Sequence, residues 1–70
     1  MSITFKEKSN LGWGWFIEVR SSHRFIGHIR KAGNSSLYQF FPGPNNELNY
    51  EFQEANLDVL KRKVSEKYGR

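Results

Sequence analysis

Glu18 and His28 are the residues in this sequence whose types could do acid–base chemistry. They fall on neighbouring predicted strands within diagonal reach of each other, and a carboxylate beside an imidazole is a common way to build a general base. Catalysis would also need a nucleophile held by that base, or a metal, and a concave site that excludes water. The sequence has no cysteine, and His23 and His28 are its only histidines, so a zinc site of the usual kind is not expected. Gly12 and Gly14 flank Trp13 without the following helix that would make a phosphate cradle. The Glu18–His28 pair therefore reads as a cross-strand surface contact, and neither a cofactor nor an enzymatic activity is expected.

The stronger chemical signal is the interleaving of cations with rings. From Gly14 to Arg30 apolar and polar residues alternate, and successive side chains on a strand point to opposite faces. One face collects Trp15, Ile17 and Val19; the other collects Phe16, Glu18 and Arg20. The same alternation separates Phe25, Gly27 and Ile29 from Ile26, His28 and Arg30. The second face is a candidate nucleic-acid platform, in which Arg20, Arg24, Arg30 and Lys31 take phosphates or base edges while Phe16, His28 and Phe41 offer rings. Phe16, Ile26, Leu37 and Phe41 on that face also suit an apolar protein interface with a polar rim, including one between two copies of the chain.

The elements that must position these residues can be read in order. Ile3 and Phe5 alternate with Thr4 and Lys6, an edge strand before a turn at Ser9 to Gly12. Two strands follow near Gly14 to Arg20 and Arg24 to Lys31, joined through Ser21, Ser22 and His23. An odd-length loop sets Val19 opposite Phe25 and Ile17 opposite Gly27; a loop of Ser22 and His23 alone would turn His28 and Arg30 onto the buried face. Gly33 and Asn34 suit a tight turn that sets Ile29 opposite Tyr38. The expected outer rows are then Glu18, Ile26 and Phe41; Phe16, His28 and Gln39; and Gly14, Arg30 and Leu37. Pro42 to Asn46 ends the strand, and Leu48, Tyr50 and Phe52 alternate as a further one.

From Asn56 the period becomes helical, with Leu57, Leu60, Val64 and Tyr68 on one side. Asn56 suits the N-cap and Gly69 the terminator, with Asp58 near the positive end and Lys67 and Arg70 near the negative end. The expected fold is α+β: an antiparallel meander of three to four strands, with a possible extra N-terminal edge strand, and one C-terminal helix across one face. Its core would comprise Trp15, Ile17, Val19, Phe25, Ile29, Tyr38 and Phe40 with Leu57, Leu60 and Val64. A loop or the segment carrying Phe5 could fold over the other face instead of leaving it open.

At 70 residues the chain is expected to form one domain spanning 1–70, near the size at which a single core is only just sufficient. Its 16% aromatic content supplies the burial that disulfides cannot. The net charge of +4 is uneven: residues 21–43 carry Arg24, Arg30 and Lys31 without an acid, residues 44–56 carry Glu47, Glu51 and Glu54 without a base, and the helix carries Lys61, Arg62, Lys63 and Lys67. Those helix cations read as a solvated face that could also follow a phosphate backbone. Met1 to Lys6 contain no basic stretch leading into an apolar run, so no signal peptide or membrane span is expected and the cytoplasm is the expected compartment. Asn34, Ser35 and Ser36 match a glycosylation acceptor, and without an export signal they read as a turn.

Trp15, Glu18, Val19 and Arg20, followed by Arg24 and Gly27, resemble the strand pattern of plant AP2 DNA-binding domains, which place a three-stranded sheet in the major groove. The resemblance covers a short stretch. A proline-rich loop and another strand precede the helix, and the alanine-rich helix of that family is missing. The reading is a small non-enzymatic binding module whose partner is nucleic acid, with a protein partner or homodimerisation as the alternative.

Overall fold

A computed structural model of the chain describes residues 3–12, 14–22, 24–33, 36–43 and 48–69. It is an open five-stranded antiparallel sheet in simple meander order, β1 (Ile3–Asn10), β2 (Gly14–Ser21), β3 (Arg24–Lys31), β4 (Tyr38–Pro42) and β5 (Phe52–Glu54), followed by α1 (Leu57–Tyr68). The α+β meander is thus the fold. The edge strand β1 is longer than its Ile3–Lys6 alternation suggests, because it pairs with β2 through Asn10. The last strand is shorter and later than expected: Leu48 and Tyr50 are exposed, and β5 begins at Phe52. Phe5 does not fold over the outer face; it stands opposite Val19, on the helix side of the sheet.

The β2–β3 ladder departs most from the expected pairing. Ser21 pairs with Arg24 and Arg20 with Phe25, but Val19 pairs with Gly27 and Ile17 with Ile29. Ile26 is therefore the extra residue of a β-bulge, which combines the short connection at Ser22 with the face assignment an odd loop would have given. Two side chains exchange roles as a result. Ile26, expected outside, packs against the core, while Phe25, expected inside, shares a face with Arg20, whose guanidinium lies 5.9 Å from its ring centroid. The β3–β4 connection is longer than a two-residue turn, with Ala32 N–H donating to the Leu37 carbonyl, so Ile29 faces Phe40 and Lys31 faces Tyr38. That change of two residues leaves every side chain on its expected face. His23, Asn34, Ser35, Pro44, Asn45, Asn46 and Arg70 lie outside the described residues.

Ile17, Val19, Ile29, Phe40, Leu60 and Val64 form the core, each fully buried. Phe40 holds its centre, with Phe52 at 6.3 Å and Tyr68 at 5.7 Å between ring centroids. Burial of such rings is the main stabilising term for a chain without covalent staples. Asn56 caps α1 by accepting from the N–H groups of Asp58 and Val59. Gly69 ends it at φ −89°, outside the left-handed region, and its lack of a side chain serves packing: a Cβ there would lie 2.5 Å from the Ser65 carbonyl oxygen and 3.3 Å from Ile3 Cγ1. Among the described residues no helix is long and apolar enough to cross a membrane.

The helix crosses the sheet diagonally. It starts just after Glu54, which pairs with Tyr38, and ends beside Ile3 at the far edge. Lys63 bridges to Glu54, Lys67 bridges to Glu51, and Tyr68 Oη donates to Glu51 at 2.6 Å. Burial pushes the Tyr68 phenol above its usual range, which keeps it a donor.

Gly27 marks a close approach in the sheet, since a Cβ there would lie 2.4 Å from the Phe41 carbonyl oxygen and 2.9 Å from the Phe40 ring. Gly27→Ala should therefore cost about 1–3 kcal/mol by overpacking. Urea unfolding should show a lower midpoint with an unchanged slope, and a wild-type midpoint would contradict this packing.

Candidate functional site

The expected outer face is assembled, but its centre is closed. Glu18, His28 and Phe41 form one row across β2, β3 and β4, and Arg30 and Gln39 begin the next. His28 is 2% exposed and Phe41 5%, with their rings stacked at 5.1 Å and 12°. Phe16 meets His28 edge-on and Tyr50 meets Phe41 edge-on, each at 6.5 Å. Phe16 and Leu37 are half-buried, and Ile26 belongs to the core side. These rings form a second small apolar layer rather than an open stacking surface. Glu18, opposite His28, accepts from Arg20 Nε at 2.9 Å and Lys8 Nζ at 3.2 Å.

The four expected cations are divided between two ends of the molecule. Arg24 and Lys31 begin and end β3, about 23 Å apart at about 3.3 Å per residue. Arg20 stays near Arg24, bridged to Glu18 and set over Phe25. Of the helix cations, Lys63 and Lys67 are engaged by Glu54 and Glu51, and Lys61 lies 5.5 Å from the Phe5 ring centroid. Arg62 is exposed.

At the other end of β3, Lys31 instead keeps company with two rings that the apolar alternation assigns to the core. Trp15, Arg30, Lys31 and Tyr38 line a hollow of about 420 Å³. Trp15 and Tyr38 sit on the helix side at the last positions of its apolar stripe, and their rings meet edge-on at 5.9 Å and 66°. Trp15 keeps 37% exposure, because the diagonal helix roofs the Glu54 and Ile3 corners and not this one. Its indole is nonetheless held: Nε1–H donates to Glu7 Oε1 at 3.0 Å. Lys31, opposite Tyr38, shares this side of the sheet, whereas the Arg30 side chain rises on the outer face; an anchored, part-open indole beside a phenol ring and a lysine can stack on a flat ring system while the lysine meets its anionic part. The signal available in the sequence was positional, since a residue at the strand end, past the reach of a twelve-residue helix about 18 Å long, is the one left uncovered.

No family matches the chain, and no curated protein or solved structure matches it.

The hydrogen bond from Arg20, opposed in part by burial and aided by Lys8, holds the Glu18 carboxyl below its ordinary range. A depressed folded-state pKa contributes stability above the unfolded-state value that is lost as pH falls through the folded one. Glu18→Gln should thus be about 0.2–1 kcal/mol less stable than wild type at neutral pH, as for an ion pair whose cations, Lys8 and Arg20, reach into solvent. Denaturant titrations should show the difference vanishing as pH drops below the carboxylate range, and a difference that persists there would assign the effect to packing instead.

Proposed function

We propose that the protein is a small non-enzymatic module that binds single-stranded nucleic acid at the Trp15 end of its sheet. The observation that carries this reading is the part-exposed indole of Trp15, fixed by Glu7 and Tyr38, with Lys31 beside it on the same side of the sheet. A base stacks on the indole, and the phosphate beside it meets Lys31. A single strand suits the site better than a duplex, because stacking on an indole requires an unstacked base. Arg20 and Arg24, at the far end of the sheet, are placed to act only on a longer strand.

The alternative, a protein partner or a second copy docked through Phe16, Ile26, Leu37 and Phe41, has less to stand on, since Phe41 is buried and Ile26 packs against the core. With Glu18 engaged by Arg20 and Lys8, and His28 buried between Phe16 and Phe41, the same surface gives little support to catalysis.

The test is fluorescence anisotropy of a labelled single-stranded oligonucleotide, about eight nucleotides long, across a salt series. Wild type should bind at low salt, with affinity falling linearly on logarithmic axes. Trp15→Ala should weaken binding by about 1–3 kcal/mol, and Lys31→Ala should reduce the salt slope by about 0.7. Absence of binding at low salt would overturn the proposal, and self-association in a sedimentation series would favour the protein-docking alternative.

A further inference from the structure

Trp15 lines two hollows. Beyond the one it shares with Arg30, Lys31 and Tyr38 lies a second, of about 400 Å³, bounded by Glu7, Lys8 and Ser9 of the edge strand β1. Both are open, shallow depressions, suited to a chain lying across them rather than to an enclosed ligand. The indole is a ridge between them, and the two sides differ in charge. Lys31, which shares the indole's side of the sheet, stands on one side. On the other, Lys8 is drawn to Glu18, which leaves the Glu7 carboxylate as the acidic group against the indole.

A strand crossing this ridge is held in one orientation by that asymmetry: phosphate is attracted toward Lys31 and repelled from Glu7. What Glu7 can receive is a hydrogen-bond donor. Its Oε1 accepts the indole N–H at 3.0 Å, and a carboxylate has acceptor capacity for more than one donor. The donors on a base edge are ring N–H and exocyclic amino groups, and the amino group of cytosine is a recognised partner of a carboxylate. Uracil presents a carbonyl oxygen at the same position, which a carboxylate repels.

We infer that Glu7 is the base-reading residue of the site, favouring a base that turns an amino group toward it, cytosine over uracil. This rests on the strand-binding reading above and adds to it the choice of base.

The experiment uses pairs of oligonucleotides, identical except that every cytosine in one is uracil in the other, titrated onto wild type and Glu7→Gln. Glu7 is exposed, so the variant is expected to fold as wild type does. Wild type should bind the cytosine member about fivefold more tightly, the value of one charge-assisted contact. Glu7→Gln keeps an acceptor for the indole but replaces the other oxygen with an NH2 donor, so the preference should disappear or invert toward uracil. Equal wild-type binding of both members, or a cytosine preference retained by Glu7→Gln, would overturn the assignment of Glu7 and leave strand binding standing. Failure of wild type to bind either member would overturn both.

Discussion

Between Val19 and Arg20 the β2–β3 ladder shifts by one residue, and that shift fixes which side chains face the helix. Without it, the short connection from Ser21 to Arg24 would carry an even register along both strands and drive His28 and Arg30 into the apolar layer, at a cost of several kcal/mol for each unpaired polar group. With it, Ile17, Val19 and Ile29 share one face with Phe40. Ile26 absorbs the extra residue, and Gly27, with no Cβ, lets the Phe41 backbone and the Phe40 ring close over the bulge. Phe40 can then sit at the centre of the core, touching both Phe52 and Tyr68.

A chain this small has to hold its helix by more than apolar area. Leu60 and Val64 supply the buried contacts, and around them stand Lys63 with Glu54, Lys67 with Glu51, and Tyr68 with Glu51. Exposed pairs of this kind contribute little individually. Their arrangement matters more than their strength, because they tie one face of α1 to β5 and the residues just before it. Since β5 is only three residues long, the helix is what keeps that edge of the sheet in place. Glu51 and Glu54 therefore act inside the molecule, so part of the basic charge of the helix is already answered.

The sequence made the layer order legible, and the reason is physical: a period of two survives any error of two residues in register. Ile29 was expected opposite Tyr38 and stands opposite Phe40, yet neither residue changes face. Phe25 and Ile26 were misassigned because a bulge breaks that period, and no turn residue announces it. The length of β1 was hidden for a related reason, since Glu7 to Asn10 pair through their backbones without an apolar alternation to reveal it. The candidate site was legible in part. Arg30 and Lys31 were recognised from charge, whereas Trp15 and Tyr38 were hidden by their membership of the apolar stripe.

That the open aromatic surface lies at one end of the sheet, and not at its middle, follows from the geometry of covering a rectangle with a rod. The sheet is five strands wide, about 19 Å from first to last at about 4.8 Å per strand, and a twelve-residue helix is about as long. Set along the diagonal, from the Glu54 corner to the Ile3 corner, such a helix buries the centre and leaves the two remaining corners thinly roofed. One of them holds Trp15. The opposite face has no helix, and Phe16, His28, Phe41 and Tyr50 close it by stacking on one another. Each face is thus sealed where its own rings or the helix can reach. The Trp15 corner is beyond both, and there the indole is kept in place by Glu7 from the edge strand, with Lys31 beside it. The openness of that ring is thus a consequence of where the helix lies, and its fixed orientation a consequence of the carboxylate beside it.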